Sequence, residues 1–158
     1  MENISKDLLE KLVRQIIEEK LSGQGDLDSS VDFIRHKDKS GVISVKLKTV
    51  KVDESNRLDT GNPKDVVYTK DVFNLEESRR LGAGIMEMKE TTFDWTLNYD
   101  EIDYVIEGHL DVIIDGRKVS ADEGEIILIP RGSKIQFSVP EYARFIYITY
   151  PADWASQA

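Results

Sequence analysis

The sequence predicts an all-β domain preceded by a single helix. Three observations carry that expectation. From Val42 onward the apolar residues recur at period two, the spacing of a strand with one buried face. The runs are short and are punctuated by Gly and Pro at regular intervals. Asp115-Gly116 separates two such runs, a pair suited to a two-residue hairpin turn because both positions must tolerate positive φ. Many short strands joined in this way point to a closed or double-sheet architecture.

The elements follow in order. Over residues 1–21, Ile4, Leu8, Leu9, Leu12, Val13, Ile16, Ile17 and Leu21 recur at three- and four-residue spacing, which places them on one stripe of a helix. Ser5 suits its start, Asp7 the positive end of its dipole and Lys20 the other end. Residues 22–40, rich in Gly, Ser, Asp and Lys, read as a flexible linker. The barrel domain is expected over 41–158. Its strands are read at 42–48, 65–70, 84–90, 93–97, 101–107, 110–115, 117–120, 125–130, 134–139 and 143–150. The apolar parity switches at Val50 and Val52, which suggests a bulge or an edge strand leaving the sheet.

Composition narrows the function. The formal net charge of −9 argues against nucleic acid and anionic lipid, which need clustered Lys and Arg. The absence of cysteine removes disulfides and thiol catalysis and fits a reducing cytosol. No apolar run reaches the roughly 18 residues of a membrane span. Glu2, Asp7, Glu10, Glu18 and Glu19 fall where a secretory leader would be apolar, so no leader is expected.

Two motifs locate a site. Trp95, Leu97, Glu101 and Gly108 carry the spacing H-x-H-x3-E-x6-G with both histidines replaced. Gly124, Pro130, Gly132, Ile135 and Val139 carry G-x5-P-x-G-x2-H-x3-N with its histidine and asparagine replaced. On these residues the segment 84–150 resembles the cupin superfamily, and the resemblance implies a jelly-roll barrel. Three of the four metal ligands of that superfamily are missing, and a catalytic divalent metal usually needs three protein ligands. No metal site is therefore expected. The chain's two histidines do not supply one: His36 lies in the expected linker and His109 reads as a surface residue.

Tyr99 to Gly108 (YDEIDYVIEG), followed by IIDG at 113–116 and the second motif, resemble more closely the ethanolamine-utilisation EutQ family. That resemblance implies ethanolamine catabolism in a bacterial microcompartment. It also implies acetate kinase activity (acetyl phosphate and ADP to acetate and ATP), with Mg²⁺ and ATP or ADP as its cofactors. A homodimer is implied as well, and so is an N-terminal helix that acts as an encapsulation peptide toward shell or cargo proteins. A non-enzymatic binding or assembly module is the rival reading.

The residues themselves suggest the chemistry. Glu101 and Asp103 alternate on one strand and so share a face. Turned inward between Trp95, Leu97 and Ile135, two adjacent carboxyls would raise one of the two pKa values and suit acid–base work or water-mediated Mg²⁺ binding, unless they instead bond an Arg, Lys or Tyr of a neighbouring strand. Tyr99, in the preceding turn, is a third catalytic candidate. Arg131 and Lys134, in the loop PRGSK, are candidates for contacting a phosphate or nucleotide. No G-x4-G-K-[ST] loop is present, and Gly82-Ala83-Gly84 is too short for a dinucleotide fingerprint.

Overall fold

The computed structural model describes residues 31–157. The expected helix over 1–21 and the first part of the expected linker lie outside the described residues. The chain divides into two compact units at Val50/Lys51.

In the first unit, part of the expected linker is ordered as a hairpin. Strand β1 (Arg35–Lys37) pairs antiparallel with β2 (Ile43–Val45). The polar run between them codes a turn. Ser40 N donates to Asp38 Oδ1, Gly41 N donates to the Asp38 carbonyl, and Gly41 takes φ +91°. The parity change beyond Leu47 has a different cause from the expected bulge: Leu47–Thr49 is a 3-10 turn. The Thr49 hydroxyl ties that turn to the hairpin by accepting from Ile34 N at 2.8 Å.

The second unit is a barrel-like sheet built on three long strands. Its strands are β3 (Val66–Asp71), β4 (Gly82–Thr96), β5 (Asp100–Ile114), β6 (Arg117–Asp122), β7 (Ile126–Ile129) and β8 (Lys134–Tyr150). The order is β3-β4-β8-β5-β6, all antiparallel, with β7 pairing β5 at Glu101–Tyr104. β8 is central, flanked by β4 and β5 along both its halves.

Pairs of runs that look separate in sequence prove to be single strands bent at bulges. In β4 the inward residues are even-numbered up to Met88 and odd-numbered from Phe93. The change falls where the register skips between Lys89 and Thr91, at Glu90 with φ +44°. Pro140, opposite this point, has no N–H to offer the ladder. In β5 the inward set runs Glu101, Asp103, Val105 and then Leu110, Val112, with register shifts between. An extra residue in one strand flips every later side chain, so each switch marks a bulge rather than an end. The bends let both halves of each strand pack on one apolar core, from Met86 and Met88 through Phe137 to Phe145.

Two glycines at positive φ test this construction differently. Gly108, at the β5 bend (φ +83°), lies so close to β8 that an added Cβ would sit 2.0 Å from the Tyr142 carbonyl oxygen. Gly116, in the hairpin (φ +75°), has open space around it. Gly116→Ala should cost only about 1 kcal/mol in urea unfolding, through strained φ alone. Gly108→Ala should cost more than about 3 kcal/mol, because backbone must move.

Candidate functional site

The open end of the sheet holds a narrow cavity lined by Leu58, Met86, Phe93, Trp95, Tyr99, Glu101, Phe137, Tyr147 and Trp154. The alternation of β5 turns Glu101 and Asp103 inward together, as expected. Glu101 is 3% exposed and Asp103 is fully buried. In the register Glu101 lies between Thr149 on β8 and Ile129 on β7, and Asp103 lies between Tyr147 and Ile127. Apart from one another the acids find no partner: no other group donates to Glu101 Oε1 or to either Asp103 oxygen, and the neighbouring Thr149 hydroxyl is unpartnered as well.

An ionised carboxylate in such a place loses its hydration and gains no compensating charge. Burial pushes Glu101 up to about 8. Burial, then the charge of Glu101, raises Asp103 well above the ordinary range, and a hydrogen bond donated to Glu101 holds the Asp103 proton in place. The pair is thus a store of protons at neutral pH.

Tyr99, also buried, closes the turn between β4 and β5. Its oxygen accepts from Trp95 Nε1 at 2.8 Å, which leaves its own O–H to donate. Burial, followed by the charge of Glu101, raises its pKa further, so it acts as a neutral phenol. The structure therefore brings Tyr99, Glu101 and Asp103 together.

Arg131 and Lys134 are elsewhere. Both are exposed, and neither lines the cavity. Their loop is held by its backbone: Arg131 N donates to Asp100 Oδ1, Gly132 N to the Leu97 carbonyl, and Leu97 N to the Ser133 carbonyl. The side chains of this tight turn face solvent. His109 is engaged at the surface between Asp122 (Nδ1, 2.6 Å) and the buried Asp111 (Nε2, 3.0 Å). These contacts, Asp122 first, raise its pKa.

Several residues of the site are not evident from sequence. Tyr147 donates to Asp71 Oδ1 at 2.7 Å, and Trp154 Nε1 points to the same oxygen at 3.5 Å. The Trp154 ring lies 6.0 Å from Tyr99, tilted by 56°, and 5.8 Å from Tyr147 in the edge-on geometry that aromatic quadrupoles favour. Gly82 and Gly84 make room: an added Cβ would lie 2.3 Å from Thr149 Oγ1 and 2.1 Å from Tyr147 Oη respectively. The available signal was their spacing of two, which puts both on the inward face.

The residues of the site do not suit Mg²⁺. Among the described residues no group of three His, Cys, Asp or Glu side chains could hold a metal. Mg²⁺ keeps several of its waters, whereas the cavity has room for roughly one water molecule. A proton-bearing acid pair in that space does not fit the ion.

The arrangement is a barrel with a buried acid pair beside its cavity, and its fold is that of the cupins. The cupin domain of Schizosaccharomyces pombe Cnp3 aligns with 72% of the chain and 77% of that domain at TM-score 0.53 and 14% identity. Residues 4–156 match the ethanolamine utilisation protein EutQ family, and the chain belongs to that family. A Clostridioides difficile protein named acetate kinase EutQ is 77% identical over 155 residues, 98% of this chain and 97% of that one. A Salmonella typhimurium protein of the same name is 36% identical over 93% of this chain, which spans 64% of that protein's length. The solved structure of the Clostridium difficile EutQ protein is 79% identical, with TM-score 0.80 over 82% of this chain and 94% of that one.

Raised carboxyl pKa values make stability fall with pH. The unfolded chain releases the Glu101 proton near pH 4.5, and the folded chain keeps it to about pH 8. The contribution is therefore full below about pH 4.5 and is lost as pH rises to about 8, by about 1.4 kcal/mol per pH unit. Glu101→Gln removes it. The variant should gain on wild type by about 1 kcal/mol or more per unit between pH 5 and pH 8 in denaturant unfolding. A difference that stays constant across that range would show that Glu101 is not buried as an acid.

Proposed function

We propose that this EutQ-family protein of ethanolamine utilisation is a phosphotransferase of the acetate kinase type, interconverting acetyl phosphate and ADP with acetate and ATP. The observation that carries the reading is the buried Glu101–Asp103 pair, with Glu101 lining an apolar cavity and Asp103 behind it on the same strand. The acetate kinase name of the 77% identical relative supports the reaction class.

The geometry suits the acyl half of the substrate. Phosphoryl transfer needs in-line positioning and stabilisation of charge on the separating oxygens. Glu101 and Asp103, holding protons, donate to the carboxylate that forms as the P–O bond breaks, and Tyr99 is placed to donate beside them. The phosphoryl group lies toward the mouth, outside the apolar wall. Mg²⁺ and the nucleotide would meet the substrate beyond the cavity, since the acid pair does not fit the ion.

A second reading has its own support. Among the described residues no Lys, Arg or His lines the cavity, and its space is about that of one water. Both features favour a non-enzymatic binding or assembly module. In either case we propose a microcompartment location, with the amphipathic segment 1–21 docking on shell or cargo proteins. A homodimer through the outer sheet face follows the same reading. There Tyr104, Ile126, Leu128, Ile148 and Tyr150 stay 38–65% exposed. The register pairs Tyr104 with Ile126, and Ile102 with both Leu128 and Ile148, so the patch is continuous rather than scattered.

Purified protein should form ATP from acetyl phosphate and ADP in the presence of Mg²⁺. Glu101→Gln and Asp103→Asn should each lower that rate by about 100-fold or more. Unchanged turnover in both variants would remove the pair from the mechanism, and an inactive, folded wild type would favour the module. Leu128→Glu should convert a dimer to a monomer in light scattering. A wild type already monomeric would dismiss the proposed interface.

A further inference from the structure

A phosphoryl group in transfer needs positive charge at its oxygens, and the residues lining the acid cavity supply none. One of those residues leads to a second space. Leu58, part-buried against the core, also lines an open cleft of about 270 Å³ formed with Arg57, Asp59, Gly61, Asn62 and Pro63. The cleft is close to the lower end of the roughly 300–1,000 Å³ usual for small-molecule sites.

The cleft is built from interlocking local bonds. Arg57 pairs with Tyr68 of β3 in an antiparallel bridge, and Leu58 N donates to the Val67 carbonyl at 2.9 Å. The buried Asp65 carboxylate closes the loop behind them, accepting from Thr60 Oγ1 and Asn62 Nδ2, each at 2.7 Å. Asp59, the acid of the lining, accepts from Gly61 N at 2.9 Å. The same loop orients Arg57. Its Nη1 donates to the Asp65 carbonyl, its Nε to Glu54 Oε2 at 3.1 Å, and its guanidinium carbon lies 5.4 Å from the centre of the Tyr68 ring. Nη2 makes a long contact, 3.4 Å, to the Tyr68 oxygen. A guanidinium carries five N–H groups. Three are used in these contacts, and two remain for a ligand.

We propose that this cleft is a phosphate subsite in which Arg57 holds the phosphoryl oxygens and Glu54 competes for the same guanidinium. A guanidinium fixed in orientation suits phosphate, whose oxygens it can contact in pairs. Glu54 occupies one side of that fork with its own side chain 76% exposed. An ion pair so open to water is worth little, so a phosphate group can displace it. The assignment rests on the phosphotransferase reading only for the fate of the phosphoryl group. It gives Arg57 the role that charge alone suggested for Arg131 and Lys134.

Inorganic phosphate, acyl phosphate and ADP share the chemistry that Arg57 would recognise, and the test separates them. The full chain is titrated calorimetrically with inorganic phosphate, ADP and adenosine at one fixed low ionic strength, and urea unfolding checks that each variant is folded. The wild type should bind phosphate and ADP but not adenosine. A preference of ten-fold or more for ADP over phosphate would assign the cleft to the nucleotide, and equal affinity would assign it to the transferred group. Arg57→Ala should weaken both by ten-fold or more. Arg57→Lys, which keeps the charge without the fork, should weaken them by about three-fold and guards against misfolding of the alanine variant. Glu54→Gln should tighten both by about three-fold. Those opposite signs distinguish a binding role from a structural one, because a merely structural ion pair would suffer alike from losing either partner. No binding of phosphate or ADP by the wild type would overturn the proposal. So would affinities untouched by both Arg57 variants, weaker binding in Glu54→Gln, or adenosine binding as tightly as ADP. Phosphate binding through Arg57 without ATP formation would sink the phosphotransferase reading alone. ATP formation with KM values for acetyl phosphate and ADP unmoved by either Arg57 variant would sink this inference alone.

Discussion

Two carboxyl groups are buried side by side in this sheet with no donor beyond each other. Nearly everything else at the site answers to that constraint. Full ionisation would place two like charges in a hydrocarbon wall, at a cost no neighbour offsets. The protein avoids the cost by keeping protons on the pair, with Asp103 donating to Glu101. The usual alternative, an Arg or Lys counter-ion, is employed elsewhere in the same sheet. Arg144 pairs with Glu87, and Lys118 and Ser120 hold the buried Asp111. Donors are therefore within the means of the fold, and the site is where they are withheld.

The pair stays buried because the strands around it are continuous. The skips at Glu90 and between Val105 and Leu110 re-aim later side chains without ending β4 or β5. The deep core of Met88, Leu110 and Val112 thus belongs to the same strands that carry the site. The glycines on β4 extend this logic. Met86 and Met88 fill the inward face, but Gly82 and Gly84 leave it empty, and Thr149 and Tyr147 occupy the space. Tyr147 can then reach across to Asp71 on the edge strand. That contact links the exposed rim to the buried acids and gives Trp154 a surface to rest on.

How much of this was legible depended on how far the information had to travel along the chain. Alternation is local, so the strands and the shared inward face of Glu101 and Asp103 could be read directly. Asp115-Gly116 declared its turn for the same reason and takes the positive φ angles expected, +49° and +75°. Bulges defeated the local reading. A parity switch looks like a strand end until the partner strand shows that pairing resumes. Residues 35–37 were hidden by polar composition, which serves a tight turn as well as a linker. Tyr147, Asp71 and Trp154 needed the register of three strands and a C-terminal turn, which no window of sequence contains. Arg131 and Lys134 illustrate the converse: their charge suggested a phosphate contact, but the backbone bonds of their turn direct them away from the cavity.

The altered motif gains a single physical meaning from these observations. At Trp95, Leu97 and Ile135 the cupin pattern expects side chains that bind a metal. Such an ion would hold a nearby carboxylate ionised. With a ring and two aliphatic chains in those places, the same acid loses both its counter-charge and its water. Trp95 goes further by donating to Tyr99, which fixes that phenol beside Glu101 with its proton free. Replacing the imidazoles therefore changes the acid itself as well as the set of side chains around it. It leaves Glu101 buried with neither a counter-ion nor water, so the acid keeps its proton to about pH 8 where a metal ligand would give it up.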